Sequence, residues 1–414
     1  MNLRGSDTND TIANQLAGLR NTEAEYVRPH TCETSFSVGL ARTTEGSFMH
    51  RRTFVRNCLS VSAGIALARK PCLFAATPPK RILVLGGTLF LGPAFVETAL
   101  AGGHTVTLFN RGITNPELFP NVEKLRGFRS ADRDDQDLSA LERRHWDAVI
   151  DVWPHDPVVV ESAAQVLKDR AKHYLYVSSI GAYAKENFTK PSLREDASLT
   201  KWDSDASFYN RGKAESERRL ETILGDKLTV VRPGPIKGVR DDTPDVLVWL
   251  KRLQKYSAVA APGDGKSPVE IVDVKDVAEF LMLAIDRTLV GTFNLTGRPM
   301  SFLEFLEGCK SATHSDSDVV WIPEPFLREQ GLVPAHAKNW LLPFPYWDPD
   351  PSMRGFSQVS SQKAYDASWE TRPFRNTALD YLIYVASMKD FVFRDMLSAA
   401  KHDELLNAWR SRKP

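Results

Sequence analysis

Residues 80–92 read KRILVLGGTLFLG, and this stretch decides the fold. Its first six residues form a short apolar run typical of a buried strand, and the glycine-rich remainder marks a turn into an amphipathic helix that extends to about Ala101. Glycines let backbone N–H groups approach a pyrophosphate, and a helix N-terminus adds partial positive charge. A second strand is predicted at 104–109, so the strand, turn, helix and strand order that a dinucleotide site needs is present.

Strand and helix patterns continue to alternate along the chain. The further predicted strands are 124–128, 147–152, 173–178 and 228–231, and the predicted helices between them are 157–167 and 208–224. This alternation indicates an α/β fold, a doubly wound parallel sheet of the Rossmann type. Ligands of such sheets bind beyond the carboxyl ends of the strands, so we expect the site there.

The composition excludes several classes of protein. The chain has 414 residues, 53 Lys and Arg against 52 Asp and Glu, and a formal net charge of +1, which does not favour a partner rich in phosphate such as nucleic acid. The four cysteines (Cys32, Cys58, Cys72 and Cys309) have neither disulfide-scaffold nor metal-site spacing. This spacing leads us to expect no metal. No apolar run of membrane-spanning length follows residue 80, so we also expect no stable membrane span.

The N-terminal region resembles a twin-arginine export signal. Residues 50–56 read HRRTFVR and are followed at 58–68 by the mildly apolar CLSVSAGIALA, with small residues suited to cleavage near its end. We expect translation to begin at Met49, with 1–48 a disordered or wrongly assigned extension and 49–76 the signal peptide. The twin-arginine translocase is then a partner, and the location is periplasmic or extracytoplasmic. The alternative is a chance arginine pair before a core helix in a cytoplasmic protein.

Two further domains are predicted after the signal. Residues 77–240 form the dinucleotide-binding domain, and 241–414 form a smaller mixed region that covers the substrate and returns some segments to the first domain. Aromatic residues are dense in this second region, and they either stack on a substrate ring or fill a small core. The aromatics concerned are Trp321, Phe326, Trp340, Phe344, Tyr346, Trp347, Phe356 and Trp369. Helical periodicity predicts two helices over 377–409, and the proline-rich run 342–349 predicts a packed loop.

A tyrosine and a lysine share one face of the helix predicted at 208–224. Tyr209 and Lys213 are spaced i, i+4, which places them about one turn apart. A phenol has an ordinary pKa near 10 and is a poor base at neutral pH, but a neighbouring ammonium favours the phenolate. The strand before this helix ends at Ser178 and Ser179, so a serine hydroxyl is expected to face Tyr209 across the crevice.

With these residues in this order, the chain resembles the extended and atypical short-chain dehydrogenases/reductases of the NAD-dependent epimerase/dehydratase group, over about residues 80–310. The resemblance implies that Ser179 holds the substrate oxygen and that Tyr209 is the acid/base. It implies that Lys213 binds the nicotinamide ribose and lowers the pKa of the tyrosine. Ser179 is preferred to Ser178 only by the family register. The implied cofactor contacts are Gly86, Gly87, Thr88, Phe90, Leu91, Gly92, Asn110, Arg111, Asp132, Arg133, Tyr209, Lys213 and Pro233.

The chain departs from the family pattern at two positions. Leu89 stands where the family usually has a central glycine, and some members with such atypical turns bind cofactor without ordinary dehydrogenase activity. Asn110, followed by Arg111, replaces the acid that binds the adenosine ribose diol. Loss of the carboxylate and gain of a guanidinium permit a 2′-phosphate, so NADP is at least as strongly indicated as NAD, although Asn110 could still serve the diol and Arg111 could be a solvated surface residue.

The expected function is that of an NAD(P)-dependent epimerase/dehydratase-type oxidoreductase acting on a secondary hydroxyl of a sugar or sugar-like small molecule. One alternative is an NADP-dependent reductase or dehydrogenase of another alcohol or carbonyl. The other is a non-catalytic nucleotide- or RNA-binding protein on the same fold. The resemblance also makes a homodimer through the long helices an expectation.

Overall fold

The computed structural model describes residues 78–154, 156–243, 245–333, 343–347, 351–388, 393 and 395–412. The predicted extension and export signal, Trp340 and both ends of the run 342–349 lie outside the described residues. Within the described chain, no helix is long and apolar enough to cross a membrane.

The strands, in chain order, are β1 (Arg81–Leu85), β2 (Thr105–Asn110), β3 (Glu123–Arg126), β4 (Ala148–Asp151), β5 (Tyr174–Val177), β6 (Leu228–Pro233), β7 (Ile236–Lys237), β8 (Ala258–Pro262), β9 (Pro268–Val269), β10 (Val272–Asp273), β11 (Gly291–Leu295), β12 (Met300–Ser301) and β13 (Asp318–Ile322). The helices are α1 (Leu91–Ala101), α2 (Pro157–Leu167), α3 (Phe208–Leu224), α4 (Asp245–Lys255), α5 (Val274–Arg287), α6 (Phe302–Thr313), α7 (Glu324–Glu329), α8 (Gln362–Asp366), α9 (Phe374–Ser387) and α10 (Ala399–Arg410).

The main sheet has seven strands in the order β11-β6-β5-β4-β1-β2-β3, and every neighbouring pair in it is parallel. The predicted doubly wound α/β sheet is confirmed. The strand order reverses direction at β1 and β4, and a crevice forms at such a reversal beyond the carboxyl ends of the strands. The glycine turn that follows β1 lies at that crevice.

Side-chain alternation along β1 supplies both faces of the sheet. Ile82 and Val84 pack into a core with α1 and α5, whereas Leu83 and Leu85 pack into a second core with α2 and α3. Because successive side chains of a strand point to opposite faces, a continuous apolar run is what a strand buried on both faces requires. The run RILVL, predicted to be a buried strand, meets this requirement.

The region after residue 241 contributes to two bodies of structure. Helix α5 and strand β11 return to the main sheet, where β11 pairs with β6. The remainder forms a third apolar core around the parallel pair β8 and β13 with α4, α6, α9 and α10. Helices α9 and α10 match the two helices expected over 377–409.

The aromatic residues of this region mainly fill cores. Phe326, Phe344, Trp347 and Trp369 are each at most 3% exposed, and Phe344 stacks on Trp249 with ring centroids 6.3 Å apart. Side chains enclosed to this extent present no face to a substrate. For these four residues the structure supports core packing, one of the two alternatives that the sequence left open.

Candidate active site

The glycine turn after β1 is shaped to hold a phosphate group. Gly86 and Gly87 have φ values of +114° and +92°, and a Cβ on Gly87 would lie 2.7 Å from the Leu108 side chain. A Cβ on Gly92 would lie 2.6 Å from the Cα of Gly87, so only glycine lets α1 pack this closely on the turn. No side chain caps the N-terminus of α1. A helix N-terminus without a side-chain cap fits a pyrophosphate.

The turn tolerates Leu89 because the unusual backbone conformation falls on its neighbour. Phe90, at the N-cap of α1, takes φ +48°, and Leu89 is not among the residues with positive φ. The side chain of Leu89 is 64% exposed and borders the cavity described next. Phe90 itself packs against the core beneath α1. Leucine is therefore accepted at position 89 because its backbone is unstrained and its side chain points away from the interior of the turn.

A cavity of about 300 Å³ lies at the carboxyl ends of β1, β2, β3 and β4. Its described lining consists of Leu85, Gly86, Gly87, Thr88, Leu89, Phe109, Asn110, Arg111, Gly112, Ile113, Thr114, Gly127, Phe128, Arg129, Val152, Trp153 and Pro154. This lining holds two arginines and no carboxylate. It brings together five of the residues predicted to bind cofactor, namely Gly86, Gly87, Thr88, Asn110 and Arg111.

Asn110 closes the end of β2 rather than standing free. Its amide nitrogen donates to the Gly86 carbonyl at 3.1 Å, and its amide oxygen accepts from the Gly112 N–H at 2.9 Å. The same oxygen accepts from Nη1 of Arg126 at 2.8 Å. Sequence reasoning did not find Arg126, because this arginine reaches Asn110 only through the pairing of β3 with β2.

Asp132 and Arg133 lie outside the cavity lining, contrary to expectation. Asp132 accepts from the Asp134 N–H in a short 3₁₀ turn, and Arg133 pairs with Glu161 at 2.9 Å. The physical reason is the length of β3, which ends at Arg126 and not at 128. The first residues past its end, Gly127–Arg129 in the lining, therefore take the place expected for Asp132 and Arg133.

Six other predicted cofactor residues also lie outside this lining, namely Phe90, Leu91, Gly92, Tyr209, Lys213 and Pro233. Leu91 and Gly92 are buried in the first turn of α1, and Pro233 is buried at the end of β6. Leu91 and Gly92 bear on a cofactor through the position of the helix end. Pro233 lies on the catalytic side of the sheet edge.

Ser179 and Tyr209 meet beyond the end of β5. Ser179 caps a 3₁₀ turn by accepting from the Gly181 N–H at 3.0 Å, and a hydrogen bond joins its side chain to that of Tyr209. A Cβ on Gly181 would lie 2.6 Å from Asn210, so glycine allows α3 to approach the turn. Ser178 is committed elsewhere, since its hydroxyl donates to Glu217. The geometry thus pairs Ser179 with Tyr209.

Lys213 is buried behind this pair and is held by the main chain. Its Nζ donates to the carbonyls of Trp153 at 2.8 Å and Val177 at 2.5 Å, and it lies 5.9 Å from the centre of the Tyr209 ring. Burial lowers the pKa of Lys213 to about 7, against the opposing effect of the carboxylates of Asp151 and Glu217. Lys213 is therefore expected to gain or lose its proton near neutral pH.

The pKa of Tyr209 departs from the expectation. Desolvation raises it above the ordinary pKa of a phenol, although the residue is 43% exposed, and the hydrogen bond from Ser179 opposes that rise. Lys213 is not among the causes of this shift; its Nζ donates to two carbonyls and lies over the Tyr209 ring, 5.9 Å from the ring centre. In this state Tyr209 is a proton donor.

Glu217 and Arg232 form a buried pair next to the lysine. Arg232 donates to both Glu217 oxygens, at 2.7 Å from Nη2 and 3.1 Å from Nε, and its guanidinium lies 4.6 Å from the centre of the Tyr183 ring. Opposite charge holds the pKa of Arg232 above its usual value despite burial. Glu217 follows Lys213 by one helical turn, so the sequence could have indicated that these two side chains share a face of α3. The pairing of Glu217 with Arg232 has no such local signal.

The fold and this site define a dinucleotide-binding protein with a Ser, Tyr and Lys set beside the cofactor cavity. The NAD dependent epimerase/dehydratase family model matches residues 82–295, and the chain belongs to that family. The glycine turn, the uncapped helix end and the cavity fit its dinucleotide cofactor. Among the described residues no cluster of His, Cys, Asp or Glu is arranged to hold a metal ion.

Several known proteins are similar to this chain. The "chloroplast stem-loop binding protein of 41 kDa b" of Arabidopsis thaliana is 28% identical over 257 residues, which are 58% of this chain and 64% of that protein. The match therefore spans less than two thirds of that relative. Among solved structures, UDP-N-acetylglucosamine 4-epimerase from Bacillus cereus superposes with a TM-score of 0.54 at 16% identity, covering 74% of this chain and 99% of that one.

Two more solved structures agree in fold. UDP-glucose 4-epimerase from Thermotoga maritima gives a TM-score of 0.53 at 19% identity, covering 73% of this chain and 98% of that one. The Bordetella bronchiseptica enzyme WbmH, in complex with NAD⁺, gives 0.51 at 18% identity, covering 75% and 100%. At these identities the likeness concerns the fold alone.

Proposed function

We propose that this protein is an NAD(P)-dependent oxidoreductase of the epimerase/dehydratase type that acts on a secondary hydroxyl of a sugar or sugar-like molecule. The observation that carries the proposal is the hydrogen-bonded pair of Ser179 and Tyr209, with Lys213 buried behind it and the cofactor cavity alongside. When bound, the dinucleotide supplies a hydride acceptor or donor. The chain supplies the binding, the orientation and the proton.

Ser179 and Tyr209 divide the proton chemistry between them. Ser179 orients the substrate oxygen through its hydroxyl, and Tyr209 exchanges a proton with the same oxygen. Because desolvation raises the pKa of Tyr209, the phenol begins protonated, which suits proton donation to a carbonyl. Removal of a hydroxyl proton requires Tyr209 to ionise first, and a Lys213 ammonium drawn toward the phenol oxygen would favour that step.

The cavity favours NADP at least as much as NAD. Arg111 lines the cavity, and Arg126 reaches Asn110 at the end of β2, where no described lining residue is acidic. Two guanidiniums there suit a 2′-phosphate. Asn110 could meet a ribose hydroxyl only through the second N–H of its amide nitrogen, because its oxygen already accepts two hydrogen bonds.

The cofactor carried by the purified protein tests the proposal. Protein isolated without added nucleotide is denatured, and released dinucleotide is identified by mass spectrometry and absorbance. Stoichiometric NAD or NADP favours an epimerase or dehydratase that keeps its cofactor. A site that is empty but binds NADPH reversibly favours a reductase, and a site that binds neither dinucleotide contradicts the proposal.

A non-catalytic nucleotide- or RNA-binding role is the competing class, and the name of the stem-loop binding relative belongs to it. The formal net charge of +1 and the Ser179–Tyr209 pair favour catalysis instead. Binding of a labelled stem-loop RNA at physiological salt, undiminished by saturating NADPH, would favour the competing class.

The export of the protein is a separate proposal that rests on the sequence of residues 49–76. If the protein is exported, free sugars, glycosides or other secondary alcohols become better candidate substrates than nucleotide sugars, because nucleotide sugars are cytoplasmic. Cell fractionation of the wild type and of an Arg51→Lys, Arg52→Lys variant tests it. A wild-type protein found only in the cytoplasm, with residues 1–48 retained, contradicts it.

A further inference from the structure

A buried ion pair forms part of the wall of the cofactor cavity, since Arg129 is one of the lining residues. Nη1 and Nη2 of Arg129 each donate to one oxygen of the Asp151 carboxylate at 2.8 Å, and the Tyr174 hydroxyl donates to the same carboxylate at 2.8 Å. The side chains of Arg129 and Asp151 are 4% and 0% exposed. Bidentate pairing with an additional donor fixes the orientation of both groups.

This pair holds Trp153 by its backbone and by its ring. The Trp153 N–H donates to Oδ1 of Asp151 at 2.9 Å, which closes a tight turn after β4. The Arg129 guanidinium lies 4.9 Å from the centre of the indole ring, within the range of a cation–π contact. Trp153 therefore has little freedom to move while the ion pair is intact.

Trp153 in turn belongs to both parts of the site. Its side chain is part of the lining of the cofactor cavity, and its carbonyl accepts from Nζ of Lys213 at 2.8 Å. The second acceptor of that nitrogen, the Val177 carbonyl, belongs to the neighbouring strand β5. One residue thus joins the shape of the cavity to the place of the lysine.

We propose that Arg129 and Asp151 are positioning residues that, through Trp153, couple cofactor binding to the position of Lys213. The inference rests on the proposed function, because it takes the cavity to be the dinucleotide site. If the ion pair is loosened, the cavity wall and the anchor of the lysine move together. Arg129 and Lys213 should then be energetically coupled through Trp153 and through the Asp151 carboxylate, which pairs with Arg129 and acts on Lys213.

A double-mutant cycle on cofactor affinity tests this coupling. NADH and NADPH are titrated by fluorescence into the wild type, Arg129→Lys, Lys213→Met and the double variant. Arg129→Lys keeps a positive charge beside Asp151 but loses the bidentate grip and the planar contact with Trp153. Each single variant is expected to bind more weakly. The double variant is expected to bind about fivefold more tightly than the product of the two single losses predicts, since contacting networks are non-additive.

Arg252 offers a matched control in the C-terminal core. Its buried guanidinium also makes a bidentate pair, with Asp395 at 2.8 and 2.6 Å, although the Asp395 side chain is 20% exposed. The guanidinium lies 5.1 Å from the centre of the Trp249 ring. Arg252→Lys makes the same chemical change in a pair that has no link to the cavity. Thermal unfolding should show comparable losses for the two arginine variants, whereas the cycle of Arg252→Lys with Lys213→Met should be multiplicative.

Multiplicative losses in the Arg129 cycle, or equal coupling in the Arg252 cycle, would overturn the inference. If Arg129→Lys does not fold, Trp153→Phe replaces it, because a smaller ring loosens the contact with Arg129 and leaves the backbone carbonyl; coupling to Lys213→Met is again expected. A wild-type protein that binds neither dinucleotide would refute the proposed function itself. Binding without coupling would refute only this inference.

Discussion

The two halves of the sheet edge differ in whether their cationic side chains lie near carboxylates. The half at β1 to β4 presents Arg111 at a cavity whose described lining has no carboxylate, and Arg126 lies beside it. The half at β5, β6 and α3 holds Lys213, which lies near the carboxylates of Asp151, at the end of β4, and Glu217, on α3, each paired with an arginine. Arginines without a carboxylate partner suit an anionic ligand. Carboxylates paired with arginines offset the cost of burying charge around Lys213. The two halves therefore carry different chemistry, and Trp153 is the residue that links them.

The largest effect is expected from Tyr209→Phe in the proton-transfer half. Removing the phenol hydroxyl should lower kcat by roughly a thousandfold, because a positioned general acid or base is lost. Cofactor affinity should change little, since the described cavity lining does not include Tyr209. Steady-state turnover and NADPH titration measure the two quantities. Tyr384→Phe, on α9, is the control, and full turnover by Tyr209→Phe would refute the mechanism.

The compensated pair itself predicts a large loss of stability. Glu217→Gln leaves the Arg232 cation buried without its partner, which should cost about 3–5 kcal/mol of unfolding free energy. The matched change Glu123→Gln removes a pair with Arg144 whose side chains are nearly half exposed, and should cost less than about 1 kcal/mol. Urea denaturation measures both values. Equal losses would mean that Glu217 is not held as a buried anion.

The ligand-binding half predicts a change of cofactor preference. Replacing both Arg111 and Arg126 by alanine should weaken NADPH binding roughly tenfold or more relative to NADH, because charge-assisted bonds to a 2′-phosphate are lost. Fluorescence titrations with both dinucleotides give this ratio. Arg143→Ala, at an exposed site outside the cavity lining, serves as the control. An unchanged ratio would show that neither guanidinium meets the adenosine ribose.

Lys213 predicts a pH dependence of stability. Its pKa is about 7 when folded and near 10 when unfolded, so between these values the unfolded chain binds one more proton. Stability should therefore rise with pH in this window, by at most about 1.4 kcal/mol per pH unit from this group. Urea denaturation of wild type and Lys213→Met at about pH 7.5 and about pH 9 isolates the contribution. Lys201→Met, at an exposed lysine, should keep the wild-type slope.

The sequence and the structure agree where information is local. The apolar run, the glycine turn and the helices Pro157–Leu167 and Phe208–Leu224 follow from periodicity and spacing. Ser179 and Tyr209 were indicated as a pair by the family resemblance, and the structure brings their side chains together. The contacts of Arg126 and Arg129 could not be predicted, because they depend on strand register across 16 and 22 residues. Asp132 and Arg133, which the family resemblance implies as cofactor contacts, lie outside the cavity lining.

Leu89 gives the smallest expected effect and bears most directly on the ligand-binding half. Because Phe90 carries the positive φ and the Leu89 side chain is 64% exposed, Leu89→Gly should cost at most about 1 kcal/mol of stability, the entropic cost of a glycine. Cofactor affinity should stay within about threefold of wild type, since this is under about 1 kcal/mol. Gly92→Ala is the contrasting variant, because its Cβ would meet the Gly87 backbone at 2.6 Å and open the turn. A tenfold gain in affinity for Leu89→Gly would instead mean that the leucine side chain obstructs the phosphate, and that the turn, rather than the charges around Arg111, limits how tightly this half binds its ligand.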